Sequence, residues 1–361
     1  MTVRAPVRLF ALVSCLAAGS AAGAPLKVPG QFPTIQAAVD AAGPGDVIKI
    51  KAGTYNESVV INNHDDLTLV GQGKVTIDGG ITDVLQVTGC DDVTLKGLRL
   101  INGIAGIAVL SSTDVVVENC IVRNSVTYGI GLGTSTGCRV VDSNVKHTGG
   151  YGVVLVDATS CTVEGTKIAS TEGAGIAVHG HLNAVVDVEV SESGEEAILL
   201  GYGGSAATNC LVQGNTLVDA GHDGIRVTDQ SSNCSILDNV IDAPGDRGIM
   251  SSLNTSFLVI DGNKIRSSAS DGFVLFCEDS TISRNKVKKA KGSGMFVGSW
   301  TTDTLFRSNS VKKSALDGLR VDGTDNHFVQ NVAKKSGDHD LADLTPPGAN
   351  VYSGNSFGTV N

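Results

Sequence analysis

A unit of about two dozen residues recurs from Val93 to the C-terminus, and no other feature narrows the possible folds as much. Its centre reads Gly-apolar-x-apolar: Gly106-Ile107-Ala108-Val109, Gly129-Ile130-Gly131-Leu132, Gly152-Val153-Val154-Leu155 and Gly175-Ile176-Ala177-Val178. It returns at Gly224-Ile225-Arg226-Val227, Gly272-Phe273-Val274-Leu275, Gly294-Met295-Phe296-Val297 and Gly318-Leu319-Arg320-Val321. Short alternating runs at a fixed period, each followed by turn residues, predict a solenoid of strands. An uninterrupted repeat makes one elongated domain of residues 25–361, with 25–92 as the cap and first coils and 93–361 as regular coils of about 23 residues. The 45 glycines are periodic rather than clustered, which reads as turn usage and not as a linker.

Residues 1–24 read as an export signal. Arg4 and Arg8 precede the apolar run Leu9-Phe10-Ala11-Leu12-Val13, and small residues end at Ala22-Gly23-Ala24. The protein is then expected to be secreted or periplasmic. Leu12-Val13-Ser14-Cys15 supplies the alternative, a lipid anchor on Cys15. No later stretch is long and apolar enough to be a transmembrane segment. Removing residues 1–24 takes two Arg away and leaves a net charge of 25 − 37 = −12, which argues against nucleic acid as a partner.

Pro33-Thr34 opens a short helix with Thr34 as N-cap and Ile35, Ala38, Val39 and Ala42 on one face. Gly43-Pro44-Gly45 stops it, and it is suited to cover the open end of a solenoid core. Asn215, Asn239, Asn263, Asn285, Asn309, Asn331 and Asn355 follow one another at intervals of 24, 24, 22, 24, 22 and 24 residues. Asn tolerates left-handed backbone, and stacked amides bond along parallel strands. Five residues before this register lie Cys138, Cys161, Cys210 and Cys234, with Ser143 and Thr166 in the Asn position of the first two coils. These cysteines are read as stacked apolar fillers rather than disulfides, although neighbours one coil apart are within bridging reach.

With the capping helix, the segments Ala52-Gly53-Thr54-Tyr55-Asn56-Glu57-Ser58-Val59-Val60-Ile61 and Val75-Thr76-Ile77-Asp78-Gly79, and the Asn ladder, the chain resembles the right-handed parallel β-helix superfamily of pectate lyases, pectin esterases and alginate epimerases. The resemblance implies an all-β right-handed parallel β-helix solenoid with a short N-terminal capping helix. It places the Asn ladder between the second and third strands of each coil and a substrate groove on the outer face of the first, Gly-led strand. None of the superfamily's catalytic motifs is present: the string nearest the Asp-Pro-His of the epimerases is His222-Asp223-Gly224, and no catalytic residue carries over.

The residue before the repeat's Gly forms another row: Tyr128, Tyr151, Ala174, Glu196, Asp223, Arg247, Asp271, Ser293, Asp317, His339. Asp223 and Asp271, two coils and roughly 9.6 Å apart, are the candidate catalytic carboxylates, with His222 as proton shuttle. Arg226 and Arg247 are candidate clamps for a uronate, and Arg320 and Phe296 further substrate-binding residues. The competing reading is an Asp–Arg–Asp turn ladder, since Asp-Gly is ordinary turn chemistry. His179-Gly180-His181, near Glu172, Glu195, Glu196 and Tyr202, lacks a fixed third ligand, so no metal site is assigned to it. Asp338, Asp340 and Asp343 are candidate Ca²⁺ ligands; the cofactor is otherwise open.

The outward residues of the first strand (Ala108, Gly131, Val154, Ala177, Leu199, Arg226, Met250, Val274, Phe296, Arg320) carry only two charges, roughly 19 Å apart. An apolar ribbon facing solvent indicates a partner, a covering segment or an oligomer contact. Lys286, Lys288, Lys289, Lys291, Lys312, Lys313, Lys334 and Lys335 read equally as an electrostatic surface for an acidic polysaccharide and as charges that discourage edge pairing near the end of the sheet. The expected function is binding of carbohydrate or a protein partner at the cell surface or outside the cell, with catalysis left open. The alternative is a polysaccharide-processing enzyme: a uronate lyase, glycoside hydrolase or C5-epimerase.

Overall fold

The computed structural model describes residues 24–228 and 230–361. The expected export signal, but for Ala24, and the Cys15 box lie outside the described residues. The chain winds as a parallel β-solenoid in which one 14-stranded sheet carries the Gly-led strands and a 26-stranded sheet carries the other two strands of each coil. Successive coils stay in register: Val117, Val140, Val163, Val185, Val212, Ile236 and Ile260 are consecutive partners.

The helix spans Ile35–Ala41, and the Thr34 side chain accepts the Ala37 N–H at 3.1 Å. Ile35, Ala38 and Val39 are buried over the first coil. Glu57 accepts the N–H groups of Ile35 and Gln36, satisfying donors at the helix start. Gln36 exchanges two hydrogen bonds with the backbone of Val60, so the cap is fastened to the first strand edge as well as to the core.

The repeat's glycines are required by packing. Gly106, Gly129, Gly224 and Gly248 do not adopt left-handed backbone. A Cβ on Gly248 would sit 2.5 Å from both the Gly272 carbonyl oxygen and an Ile265 methyl. Each glycine lets its coil lie flat against the next while a third-strand side chain fills the space beneath. The turn reading of these positions is corrected accordingly.

One recurring left-handed site lies at the end of the third strand: Asn102, Asn124, His147, Ser170, Glu192, Asp219, Ala243, Ser267, Lys289, Lys313 and Lys335 all have φ between 52° and 64°. The side chain at this position varies freely.

The Asn ladder lies between second and third strands. From Asn215 to Asn331 each side chain donates to the Asn one coil on at 2.9–3.1 Å and to a core-strand carbonyl at 2.8–3.0 Å. A second ladder, at the turn between first and second strands, runs Ser280, Thr304, Asn326, Asn350. Cys138, Cys161, Cys210 and Cys234 occupy earlier steps of the second row and Cys120 an earlier step of the Asn row, as free buried thiols that donate to backbone carbonyls. Stacked rings of Phe306, Phe328 and Tyr352, 4.7 and 4.9 Å apart, fill the core near the C-terminus. Strands Val351–Ser353 and Ser356–Phe357 then make the final coil, as Asn355 predicts.

Candidate functional site

Two irregular coils shape the outer face of the Gly-led sheet. Leu200 pairs with Val178 and with Val227, so successive coils there are 22 and 27 residues long (200 − 178 and 227 − 200). The added residues form a small hairpin in which Tyr202 and Ser205 exchange backbone hydrogen bonds. Gly203 and Gly204 turn it at φ 63° and 84°. The hairpin lays the Tyr202 ring edge-on to Tyr151, 5.2 Å between centroids, and stacks it on His179 at 5.9 Å. Together with Glu195, Glu196, His222, Arg226 and Thr228 the two tyrosines line a hollow of about 380 Å³.

The second irregularity is a register slip between Ser251 and Thr255, which pushes out Ser252, Leu253 and Asn254. They join Thr228, Met250, Phe276 and Trp300 around an adjoining hollow of about 500 Å³. Phe276 meets Phe296 edge-to-face at 5.9 Å, and Trp300 is 66 % exposed. Thr228 belongs to both hollows, so they form one groove. From the strand of Tyr151 to that of Phe296 it crosses six coil steps, about 29 Å at the usual strand spacing.

The ionisable side chains of this groove are Glu195, Glu196, His222 and Arg226, and Asp223 and Arg247 lie behind Arg226. Asp223 is 1 % exposed; its Oδ1 accepts the Arg247 N–H at 3.0 Å. Its Oδ2 has no hydrogen bond and lies 3.7 Å from Arg247 Nη1 and 3.9 Å from Arg226 Nε. Burial pushes this carboxyl above its ordinary range, and the Arg247 N–H and the two guanidinium groups pull it partly back. Arg226 is committed to buried Glu196 at 2.9 Å, and Arg247 also reaches Asp246 at 3.3 Å.

The structure thus gathers His222, Asp223, Arg226 and Arg247 with Glu196, and it sets Asp271 apart. Asp271 lies on the far side of the Arg247 strand; its Oδ1 takes the Ser293 N–H at 2.5 Å, and burial raises its pKa. Asp83 and Asp317 accept the N–H of the next coil in the same way. A carboxylate at this row therefore has a recurring structural task, and the separation of Asp223 and Asp271 does not by itself mark a catalytic pair.

Arg320 and Phe296 are strand partners, with the guanidinium 5.2 Å above the ring and 3.3 Å from Asp322. The apolar ribbon is less open than its sequence suggests. Ala108, Val154, Ala177 and Val274 are buried, and the Tyr128 ring lies on Gly131.

His179 is buried, and its Nδ1 lies 3.2 Å from the Asp157 N–H and 3.3 Å from the Asp157 carboxylate. His181 is exposed and meets Thr208 instead, so the two rings do not converge. Asp340 spends its oxygens on the N–H groups of Ser336, Gly358 and Thr359, and Asp343 on Thr345 and Tyr352. Asp338, Asp340 and Asp343 accordingly do not form the expected Ca²⁺ cage, and no cluster of three potential metal ligands occurs among the described residues.

Trp300, Phe276 and the Ser252–Asn254 bulge were not legible as site residues. The signals present were the lengthened coil after Leu200 and the chain's single Trp.

The right handed beta helix region family matches residues 52–187 and 183–333. The chain belongs to this family. No curated protein matches it in sequence. Among solved structures this β-helix is similar to the mannuronan C-5 epimerase AlgE6 A-module of Azotobacter vinelandii, with 19% identity over 89% of this chain and 94% of that one and a TM-score of 0.69. It is also similar to the catalytic unit of a GH87 alpha-1,3-glucanase from Streptomyces thermodiastaticus, at 19% identity over 96% and 71% and TM-score 0.66. The surface adhesin PfbA of Streptococcus pneumoniae matches at 10% identity over 90% and 93% and TM-score 0.61. At these identities the likeness is one of fold.

Proposed function

We propose that this β-helix is an exported protein that binds a polysaccharide chain lying along the outer face of its Gly-led sheet. The observation that carries the reading is the groove from Tyr151 and Tyr202 to Phe276 and Trp300, with Arg226 midway along its wall and Arg247 behind it across Asp223. Rings give a sugar a flat apolar surface, and guanidinium groups donate fork-shaped hydrogen bonds to hydroxyl or carboxylate oxygens. Its length suits an extended chain of several sugars rather than a single residue. An epimerase, a glucanase and an adhesin share the fold, which supports a carbohydrate ligand by analogy only.

The test is calorimetric titration of the protein recovered from the cell exterior with neutral and acidic oligosaccharides, repeated with Tyr202→Ala and Trp300→Ala. Binding of at least one glycan, weakened tenfold or more by either change, supports the reading. Binding that ignores both changes, or no binding across the panel, overturns it.

A second reading, catalysis on the bound chain, is favoured by the hydrogen-bond-free Oδ2 of Asp223 and the raised pKa of its carboxyl, as a general acid requires. Incubation in heavy water separates the readings. A hydrolase adds solvent oxygen and shortens the chain, a lyase shortens it without water, and an epimerase leaves deuterium on carbon. Unaltered glycan leaves binding alone.

A further inference from the structure

On the third strand, well away from the groove, positive charge is stacked coil upon coil. Arg266, Lys288, Lys312 and Lys334 are successive register partners, all exposed. They form a straight row whose members are about 4.8 Å apart, so the row spans about 14 Å. A second row runs beside it through Lys289, Lys313 and Lys335, and Lys264 and Lys286 are partners two residues before the first.

Three features separate this stripe from an ordinary charged surface. Elsewhere the chain places opposite charges across coils, as in Lys96–Glu118 at 2.9 Å, Arg139–Glu164 at 3.2 Å and Lys167–Glu189 at 2.6 Å. Within the stripe, among the described residues, no side chain is in an ion pair. Like charges directly opposite each other on a sheet destabilise it. The backbone does not ask for lysine either. Positions 289, 313 and 335 are the left-handed turn site, which other coils fill with Asn, Ser, His, Glu, Asp or Ala. Nor do the lysines shield a sheet edge, because Ser356–Phe357 closes that sheet beyond Lys334. The cost of stacking like charges through four coils therefore has no return within the folded chain.

We infer that the Arg266–Lys288–Lys312–Lys334 stripe is a binding site for an extended acidic polysaccharide, separate from the groove. A linear polyanion matches a straight row of evenly spaced cations and releases counterions on binding. In the same row the preceding partner is Asp242, which ends the favourable track at Arg266. A flat anionic bilayer would also meet the acidic remainder of a chain of net charge −10. A nucleic acid strand would find no aromatic side chain in either row on which to stack its bases.

The probe is sodium polygalacturonate and its oligomers, titrated into the full chain at several salt concentrations. Affinity should rise with oligomer length until the stripe is spanned, and fall steeply with salt. Lys288→Gln/Lys312→Gln/Lys334→Gln should weaken binding at least tenfold. Lys27→Gln/Lys51→Gln/Lys74→Gln, with equal charge removed from exposed sites elsewhere, should change it less than twofold. Far-ultraviolet circular dichroism identical to that of the parent shows that both variants fold. Equal loss in the two triple variants overturns the inference. So does polygalacturonate binding that is lost in Trp300→Ala and kept in the stripe variant. Stripe-dependent binding to phosphatidylserine vesicles or to oligo-dT, without binding of polygalacturonate, overturns it as well.

Discussion

Asp223 accepts the backbone N–H of Arg247 at 3.0 Å, one coil further on, while its other oxygen lies 3.7 Å from that arginine's guanidinium with no hydrogen bond. The same carboxylate thus ties two coils together and holds an unspent acceptor under the groove. Burial raises its pKa above the ordinary 3.8. Between that value and the raised one, the folded chain binds a proton that the unfolded chain does not. Stability therefore falls as pH rises through this window. Asp223→Asn should flatten that part of the profile, and urea midpoints measured from acid to neutral pH check it. Asp223→Ala should cost roughly 1–3 kcal/mol at neutral pH, because the Arg247 N–H loses its acceptor.

Asp340 shows the opposite sign. Burial opposes its ionisation, but N–H groups from Ser336, Thr359 and Gly358 overrule it and lower its pKa. Its contribution is present above 3.8 and is lost as pH falls through the lowered value. Hydrogen exchange at Gly358 and Thr359 should accelerate in acid before the rest of the chain opens. Asp340→Asn should show that fast exchange already at neutral pH.

Removing one amide from the middle of the Asn ladder breaks bonds on both sides. Asn263 accepts from Asn239 and donates to Asn285 and to the Ile236 carbonyl. Asn263→Ala should cost about 3 kcal/mol, since several buried partners are left unsatisfied. Asn355→Ala, at the half-buried end, should cost about 1 kcal/mol. Denaturant unfolding of the two variants gives the comparison, and equal costs would show that the ladder does not act cooperatively.

Gly248→Ala should destabilise by about 1–3 kcal/mol, because the new methyl collides with the Gly272 carbonyl and Ile265. Gly43→Ala, whose Cβ would meet nothing closer than 4.0 Å, should be neutral or slightly stabilising. Thermal unfolding of both decides whether packing or turn geometry sets the glycine period.

The seven described cysteines are buried thiols, and burial pushes that of Cys120 up to about 11. Native protein should react slowly with a thiol-directed dye, its melting temperature should ignore reductant, and unfolding should expose all seven to rapid labelling. A reductant-sensitive melting temperature would instead indicate a bridge between Cys138 and Cys161 or between Cys210 and Cys234.

Features set by one environment repeated in every coil were readable from sequence. Asn215 through Asn355 share a single buried turn, so a single residue type recurs there at coil spacing. The capping helix was readable because Thr34 and the apolar face of Ile35, Ala38 and Val39 are local signals. The second ladder escaped because Ser280, Thr304, Asn326 and Asn350 do one job with three side chains. The groove escaped for a different reason. The Tyr202 hairpin and the Ser252–Asn254 bulge are departures from the repeat, and periodicity gives no direction for a departure. Asp223 and Asp271 look alike in sequence, and only the fold distinguishes the carboxylate with a free oxygen among arginines from the one beyond the next strand.

Register partnership across every strand has a consequence for how such a protein measures what it holds. The coil is a ruler with one graduation, shared by the face that carries Tyr202 and Trp300 and by the face that carries Lys288 and Lys312. Gaining or losing one coil within their span changes both faces by the same step. Ligands read on the two faces are thereby counted in a common unit, and neither face can be lengthened through that span without lengthening the other.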